Sequence, residues 1–366
     1  MLRSFSQKNF RCFHDFAIKH LEEINLIAGK NNVGKTALLE GMFLFAGATN
    51  PELAMRINVF RGIDVFEIKP ELLSETPWNS LFYNFDENAR ITMTGTNDDR
   101  RKRTLNMKIL RKKSELVMKK VRDKGEGGYT ISEAKGEYAI SEVTGKFLEL
   151  EYINESNQSI KSNIVIEANR LRIETPPVPI PYNAIFLASR YRINPAEDAQ
   201  RYSNVEIKGQ QDILLNILKL IEPKLRRLAV AVTAGVPMIF GDIGLNRLIP
   251  LPIMGEGIAK VCSLVLAIAN SPKGLVFIDE IENGIHYSIM SDIWIGVAEA
   301  ARCFNTQIIA TTHSRECIVS AHEALSKSGR YNFLLHRLDK INGKIETTTY
   351  DRETLEAAIE AGFEVR

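Results

Sequence analysis

Gly29-Lys30-Asn31-Asn32-Val33-Gly34-Lys35-Thr36 is the stretch on which the fold turns. It fits the pattern of glycine, four residues, then Gly-Lys-Thr, which is that of a loop cradling phosphate. The glycines let the backbone curl until its N–H groups surround an anion. Lys35 is placed to reach the β- and γ-phosphates of a nucleotide such as ATP, and the Thr36 hydroxyl to ligate Mg²⁺. Lys30, Asn31, Asn32 and Val33 form the body of the loop, and Ala37 lies in the helix that follows. That helix directs its positive end at the same charge. The pattern arises by accident in roughly one chain of this length in a hundred. Its flanks make accident rarer: the apolar run Ile24 to Ala28 precedes it, and Leu38, Leu39, Met42 and Phe45 follow at helical spacing.

A second signal lies far downstream. Leu275-Val276-Phe277-Ile278-Asp279-Glu280 is an apolar strand ending in two acids. Beside a phosphate loop, Asp279 is expected to hold Mg²⁺ through its water shell. Glu280 is expected to polarise the attacking water as general base. Another apolar strand, Ile308 to Thr312, ends at His313-Ser314, with helical spacing from about His286 to Phe304 between the two. Strand, helix, strand with crossovers predicts an α/β fold with a mostly parallel sheet flanked by helices. Further helices are predicted over Asp212 to Leu228 and Gly255 to Asn270, and a strand over Ala184 to Ala188, just before Ser189-Arg190.

The middle of the chain has a different texture. Short alternating runs such as Phe147, Leu148, Leu150, Tyr152 and Ile160, Ile164, Ile166 predict antiparallel strands. The expected division is therefore a head built from residues 1–50 and 183–366, and a β-rich insertion over 51–182 that closes at the proline-rich Thr175 to Tyr182. Arg100 to Lys124 is strongly basic. Two readings are open: a solvated strand face with snorkelling lysines, or a patch for the phosphate backbone of DNA or RNA. Aromatic interleaving is missing, which weakens any case for single-strand stacking.

Composition narrows the classes. Hydrophobic residues make up 45% of the 366 and charged residues 25%, the balance of a soluble globular protein. A net charge of +2 gives no global field for nucleic acid or membrane. No apolar run approaches the roughly 18 to 20 residues of a membrane helix, and the N-terminus lacks a signal-peptide core. The expected location is the cytoplasm. Cys12, Cys262, Cys303 and Cys317 form no C-x-x-C pair, which argues against a zinc site or a disulfide framework. They are expected mostly as small buried apolar residues.

The order of phosphate loop, Asp-Glu and Thr-His at a strand end resembles the ABC ATPase class. The resemblance implies an ATP- and Mg²⁺-dependent hydrolase, a P-loop ATPase head that pairs with a second copy around the nucleotide. His313 matches the class's switch histidine, which hydrogen-bonds the γ-phosphate. Met254-Gly255-Glu256-Gly257 stands where the class carries its signature helix, so Gly255, Glu256 and Gly257 are expected to face the nucleotide of the partner. The usual serine is absent and Met254 replaces it, which implies slow turnover. Asn9-Phe10-Arg11-Cys12-Phe13, Ile24 to Ile27 and the two loop asparagines resemble RecF, SMC and OLD-type ATPases, in which the arginine after Asn-Phe approaches the nucleotide; Arg11 is the matching contact. Ala357 to Arg366 is similar to the end of compact AAA family ATPases of the OLD-like branch.

The likeness covers residues 1–50 and 183–366 and departs from its relatives in two ways. About 240 residues separate Lys35 from Asp279 without sustained heptads, so the long coiled-coil arm of SMC proteins is not expected. Some fifty residues follow His313, too few for the Toprim nuclease of OLD proteins. Three roles follow from the resemblance. One is a regulatory ATPase of bacterial or archaeal anti-phage defence, working as a homodimer or higher oligomer on a separately encoded effector such as a Toprim-type nuclease. The second is a RecF-like repair ATPase that binds DNA directly. The third is a nucleotide-dependent scaffold with negligible turnover.

Overall fold

The computed structural model describes residues 1–62, 78–113, 144–167, 170–175, 177–189, 194–327 and 329–366. Strand β3 (Ile24–Gly29) is buried at every residue, as a strand covered on both faces must be. It lies inside a six-stranded sheet with β9 (Ala184–Leu187), β13 (Leu275–Ile278), β14 (Gln307–Thr311), β15 (Phe333–Ile341) and β16 (Lys344–Tyr350), in the order β16-β15-β3-β14-β13-β9. Five of these strands run parallel, and β16 returns antiparallel through a turn at Asn342-Gly343. Both turn residues have positive φ, the backbone an Asn-Gly hairpin turn demands. The predicted mostly parallel sheet is present.

Side chains alternate between two cores. Leu26, Ala28, Val276, Ile278, Ile308 and Ala310 face one; Ile27, Leu275, Phe277 and Ile309 face the other. The first core is roofed by α3 (Pro195–Ile207), α4 (Gln211–Lys219), α6 (Glu256–Ala269), α7 (Met290–Phe304), α8 (Arg315–Lys327) and α9 (Arg352–Glu360). The second is filled by α1 (Lys35–Ala46), α2 (Leu53–Val59) and a seven-stranded antiparallel sheet.

That sheet has the order β2-β1-β4-β5-β6-β7-β8. Its strands are β1 (Leu2–Phe10), β2 (Phe13–Ile18), β4 (Ile91–Asn97), β5 (Lys102–Lys113), β6 (Thr144–Ile153), β7 (Ser159–Glu167) and β8 (Arg170–Glu174). β1 pairs with β4, so strands from both sides of residue 50 belong to one sheet. Contact with α1 is close at Gly95, where a Cβ would lie 2.7 Å from the Phe45 ring.

Two expectations need correction, and one element was not expected. The helix predicted over 212–228 ends at Lys219, because Pro223 forbids its continuation, and β10 (Arg227–Thr233) begins where it was to finish. β10, β11 (Val236–Asp242) and β12 (Ile249–Pro250) form a third small sheet that the sequence did not reveal. Only Cys262 and Cys317 are buried; Cys12 and Cys303 are exposed. Among the described residues no helix is long and apolar enough to cross a membrane.

Candidate nucleotide site

The phosphate loop leaves β3 and enters α1 through Gly34, whose φ of 104° favours glycine. Space enforces the same choice. A Cβ at Gly34 would lie 2.7 Å from Cys12 Sγ, and one at Gly29 would lie 2.6 Å from the Leu338 carbonyl oxygen. Lys35 Nζ curls back over the loop and donates to the carbonyls of Gly29 at 2.7 Å and Lys30 at 3.1 Å. Burial lowers the Lys35 pKa, against the pull of Glu280, Glu282 and Asp279.

The two acids do not sit on the strand next to the loop. β14 lies between β3 and β13, and side chains close the gap. Thr36 Oγ1 donates to Asp279 Oδ1 at 3.0 Å, and the Thr311 hydroxyl at the end of β14 donates to the same oxygen at 2.8 Å. Thr311 Oγ1 in turn accepts from the Glu280 backbone N–H at 2.8 Å. One threonine thus fixes both acids relative to the loop.

Glu280 has a φ of 52°, a left-handed conformation that costs a side-chain-bearing residue about 1–2 kcal/mol. Its surroundings enforce it. Asn283 Nδ2 donates to its carboxylate, and the Lys260 ammonium, from α6, bonds the carbonyls of Glu280 and Asn283. Burial pushes Lys260 down to about 8, opposed by Glu282 and Glu280.

Lys35, Thr36, Asp279 and Glu280 open onto a cleft of about 900 Å³. Asn31, Asn32, Gly34, Lys35, Thr36 and Ala37 of the loop and α1 line it together with Asp279 and Glu280, and Arg11, Arg61, Asn84 and Phe85 are among the other lining residues. Gly29, Lys30 and Val33 shape the loop without lining the cleft; Val33 is packed in the second core. His313 does not line it either. Its Nδ1 lies 3.1 Å from Glu282 Oε1, and its backbone N–H donates to the same oxygen at 2.8 Å. Gly255, at the start of α6 with φ 141°, has open space where a Cβ would stand, and neither it nor Glu256 or Gly257 reaches this cleft. Glu256 lines a second cavity of about 710 Å³ with Lys260, Asn283 and Gly284. Arg190 lies outside the described residues.

In the basic stretch, Arg103 pairs with Glu155 at 3.0 Å and Lys108 with Glu149 at 3.1 Å, while Arg100 and Arg101 are exposed. The side chains of Arg111, Lys112 and Lys113 and all of 114–124 lie outside the described residues.

The donor set suits Mg²⁺. The Thr36 hydroxyl and the Asp279 carboxylate are hard oxygen ligands side by side at the cleft. No cluster of three His, Cys, Asp or Glu able to hold a metal occurs among the described residues. The remaining ligands would come from water and phosphate oxygens, the usual situation for this ion.

The chain has recognisable relatives. A family model described as "AAA domain, putative AbiEii toxin, Type IV TA system" matches residues 24–318. The chain belongs to this AAA domain family. It is an ATPase of the AAA/ABC type. It is 23% identical over 373 residues to an ATP/GTP phosphatase of Helicobacter pylori, covering 97% of each chain. It is 29% identical over 99 residues to an uncharacterised protein of Methanocaldococcus jannaschii, covering 27% of this chain and 43% of that one. A solved SMC head bound to the C-winged helix domain of ScpA matches with a TM-score of 0.52 at 12% identity, over 98% of this chain and 99% of that one. At that identity the likeness is one of fold.

Several residues at or behind this cleft were not singled out from the sequence. Lys260 was seen only as part of a helix, and Thr311 only as a strand end. Glu40 carried a signal, being the one acid in the apolar stretch of α1. Arg61 carried none.

Proposed function

We propose that two copies of this ATPase close head to tail over ATP and Mg²⁺, and that the nucleotide state holds or releases a separately encoded effector. The observation that carries the nucleotide part is Asp279, bonded at once to Thr36 of the phosphate loop and to Thr311 beside Glu280. Asn31, Asn32 and the amides of Gly34, Lys35, Thr36 and Ala37 cradle the phosphates. Lys35 exchanges its loop carbonyls for phosphate oxygens. Thr36 and Asp279 would hold Mg²⁺, which when bound offsets charge on the phosphoryl oxygens. Glu280 accepts a proton from water as its oxygen attacks the γ-phosphorus and the bond to ADP breaks. His313 turns from Glu282 to read the γ-phosphate.

The amides at Gly255 to Gly257 of one copy complete the phosphate loop of the other. Two observations support this: they lie outside their own cleft, and Gly255 leaves open space in front of the α6 N-terminus. Met254 is turned inward, its Sδ packed where a Cβ on Gly241 would lie 2.7 Å away. No hydroxyl replaces the missing serine there, so turnover is slow. The 51–182 segment is an insertion in a head made of 1–50 and 183–366.

The effector role rests on the resemblance of Asn9-Phe10-Arg11 and Ala357 to Arg366 to the OLD/RecF-like branch, and extends to anti-phage defence. The family description, which names a toxin of a type IV toxin–antitoxin system, fits an ATPase with a separately encoded partner. The solution mass of Glu280→Gln with and without ATP and Mg²⁺ tests the pairing. A nucleotide-dependent doubling that Lys35→Ala abolishes supports it; a mass that never changes withdraws the role given to Gly255 to Gly257. Salt-dependent DNA binding lost on neutralising Arg100 to Lys124 would replace the effector role with a RecF-like one. Full function in Glu280→Gln would replace it with a scaffold.

A further inference from the structure

Glu40 stands one turn along α1 from Thr36 and is fully buried, on a helix whose residues from Ala37 to Ala46 are all buried. A carboxylate in such a place persists only with charged partners. Glu40 has two. Arg11 Nε donates to it at 3.1 Å, and Arg61 donates as a fork, Nε at 2.6 Å to one oxygen and Nη2 at 3.0 Å to the other. One carboxylate between two guanidinium groups leaves one positive charge uncompensated.

The two arginines are not equivalent. Arg11 is engaged by the protein on every nitrogen: Nη1 donates to the Ser80 carbonyl and hydroxyl, and Nη2 to Asn58 Oδ1 at 2.8 Å. Its side chain is only 10% exposed. The Arg61 side chain is 38% exposed and lines the cleft with Lys35, Thr36 and Asp279. Its Nη1 has no hydrogen-bond partner among the described residues. Arg61 also feels the Asp279 carboxylate electrostatically, which places it in the same field as the Mg²⁺ and phosphate ligands.

We propose that Arg61 is a phosphate-binding residue of the nucleotide cleft, offering Nη1 to the triphosphate chain of ATP, and that Glu40 is the residue that positions it. A guanidinium fixed by a fork on one edge keeps its other edge rigid, so an anion that binds there orders little further. The surplus cation at the cleft is matched in sign and chemistry by polyphosphate. Charge-assisted hydrogen bonds of this kind are worth on the order of ten- to a hundredfold in affinity. This inference rests on the cleft being the ATP site.

Titration of ATP with Mg²⁺ into the full chain, followed by heat release, tests both layers. Wild type that binds no ATP, or Lys35→Ala that binds as tightly as wild type, overturns the reading of the cleft itself. ATP binding that needs Lys35 but survives Arg61→Ala within twofold overturns the role of Arg61 alone. The expected result is a loss of about ten- to a hundredfold in Arg61→Ala, with partial recovery in Arg61→Lys. Arg61→Gln, which keeps a polar side chain over Glu40, serves if the alanine variant melts early. Glu40→Gln is then made in wild type and in Arg61→Gln. A positioning role predicts that it weakens ATP binding in the first background and not in the second; equal losses in both would reduce Glu40 to a structural anchor.

Discussion

Glu280 is held by three neighbours in a backbone conformation that glycine would adopt more easily, which marks its carboxylate as aimed rather than free. Glu280→Gln keeps the shape and removes the base. Phosphate release should fall by about 10²- to 10⁴-fold while ATP affinity stays within a few-fold; a parallel loss of affinity would make Glu280 a binding group instead. Lys260, on α6, ties that helix to the Glu280 loop and carries its own pH signature. Its pKa of about 8 lies below the ordinary lysine value of 10.5, so the unfolded chain binds the proton more tightly. The penalty for charging it is full below pH 8 and disappears as pH rises towards 10.5. Wild type should therefore gain up to about 3 kcal/mol relative to Lys260→Met across that window, read from urea unfolding at pH 7.5 and pH 10. A pH-independent difference would show that Lys260 is solvated. Gly29, Lys35, Thr36, Asp279 and Glu280 were legible because phosphate chemistry demands those residue types at fixed local spacing. Arg61 and Lys260 were not, because each makes its contact about twenty residues away, invisible to a local pattern; Glu40 stood out as a lone acid in an apolar helix, but its partners did not.

At the scale of elements, β3, β9, β13 and β14 were readable because each is a short apolar run bounded by turn or polar residues, whereas β15 was not, since His336, Arg337, Asp339 and Lys340 interrupt its apolar start. The register of β14 between β3 and β13 was not, since strand order depends on crossovers rather than on the strands themselves. The small sheet of β10, β11 and β12 escaped for another reason. Only Leu228 on β10 and Ile239 and Gly241 on β11 are buried, so its alternation is weak, and the apolar stripe of α4 appeared to run on into it. α4 is held by a tight crossing with α7. A Cβ at Gly296 would lie 2.5 Å from Ile217 Cγ2, an atom of a stiff, β-branched and buried side chain. Gly296→Ala should then cost about 1–3 kcal/mol by overpacking, despite its better helix propensity. Thermal unfolding reads this directly, and a raised melting temperature would mean that the two helices separate without penalty.

Over the whole molecule, two cores share one sheet, and β15 stitches them where Leu335 faces the first and Leu338 the second. His336 lies between these positions, fully buried, its Nδ1 3.0 Å from the Thr349 hydroxyl on β16 and its Nε2 3.3 Å from Asn25 Oδ1 on β3. It is a polar joint across three strands, neutral in the fold. Burial, then the nearby His20, lowers its pKa from 6.5 to about 3. The unfolded chain therefore takes up a proton near pH 6.5 that the native chain refuses until about pH 3. Stability is kept above 6.5 and lost as pH falls below it, at up to about 1.4 kcal/mol per pH unit. Between pH 7 and pH 5 the loss from this one group should reach about 2 kcal/mol. His336→Gln retains hydrogen-bonding groups and cannot titrate, so its urea midpoint should fall less over the same interval than that of wild type. If both fall alike, His336 does not set the acid sensitivity of the fold, and the joint across β3, β15 and β16 is not where protonation opens the molecule.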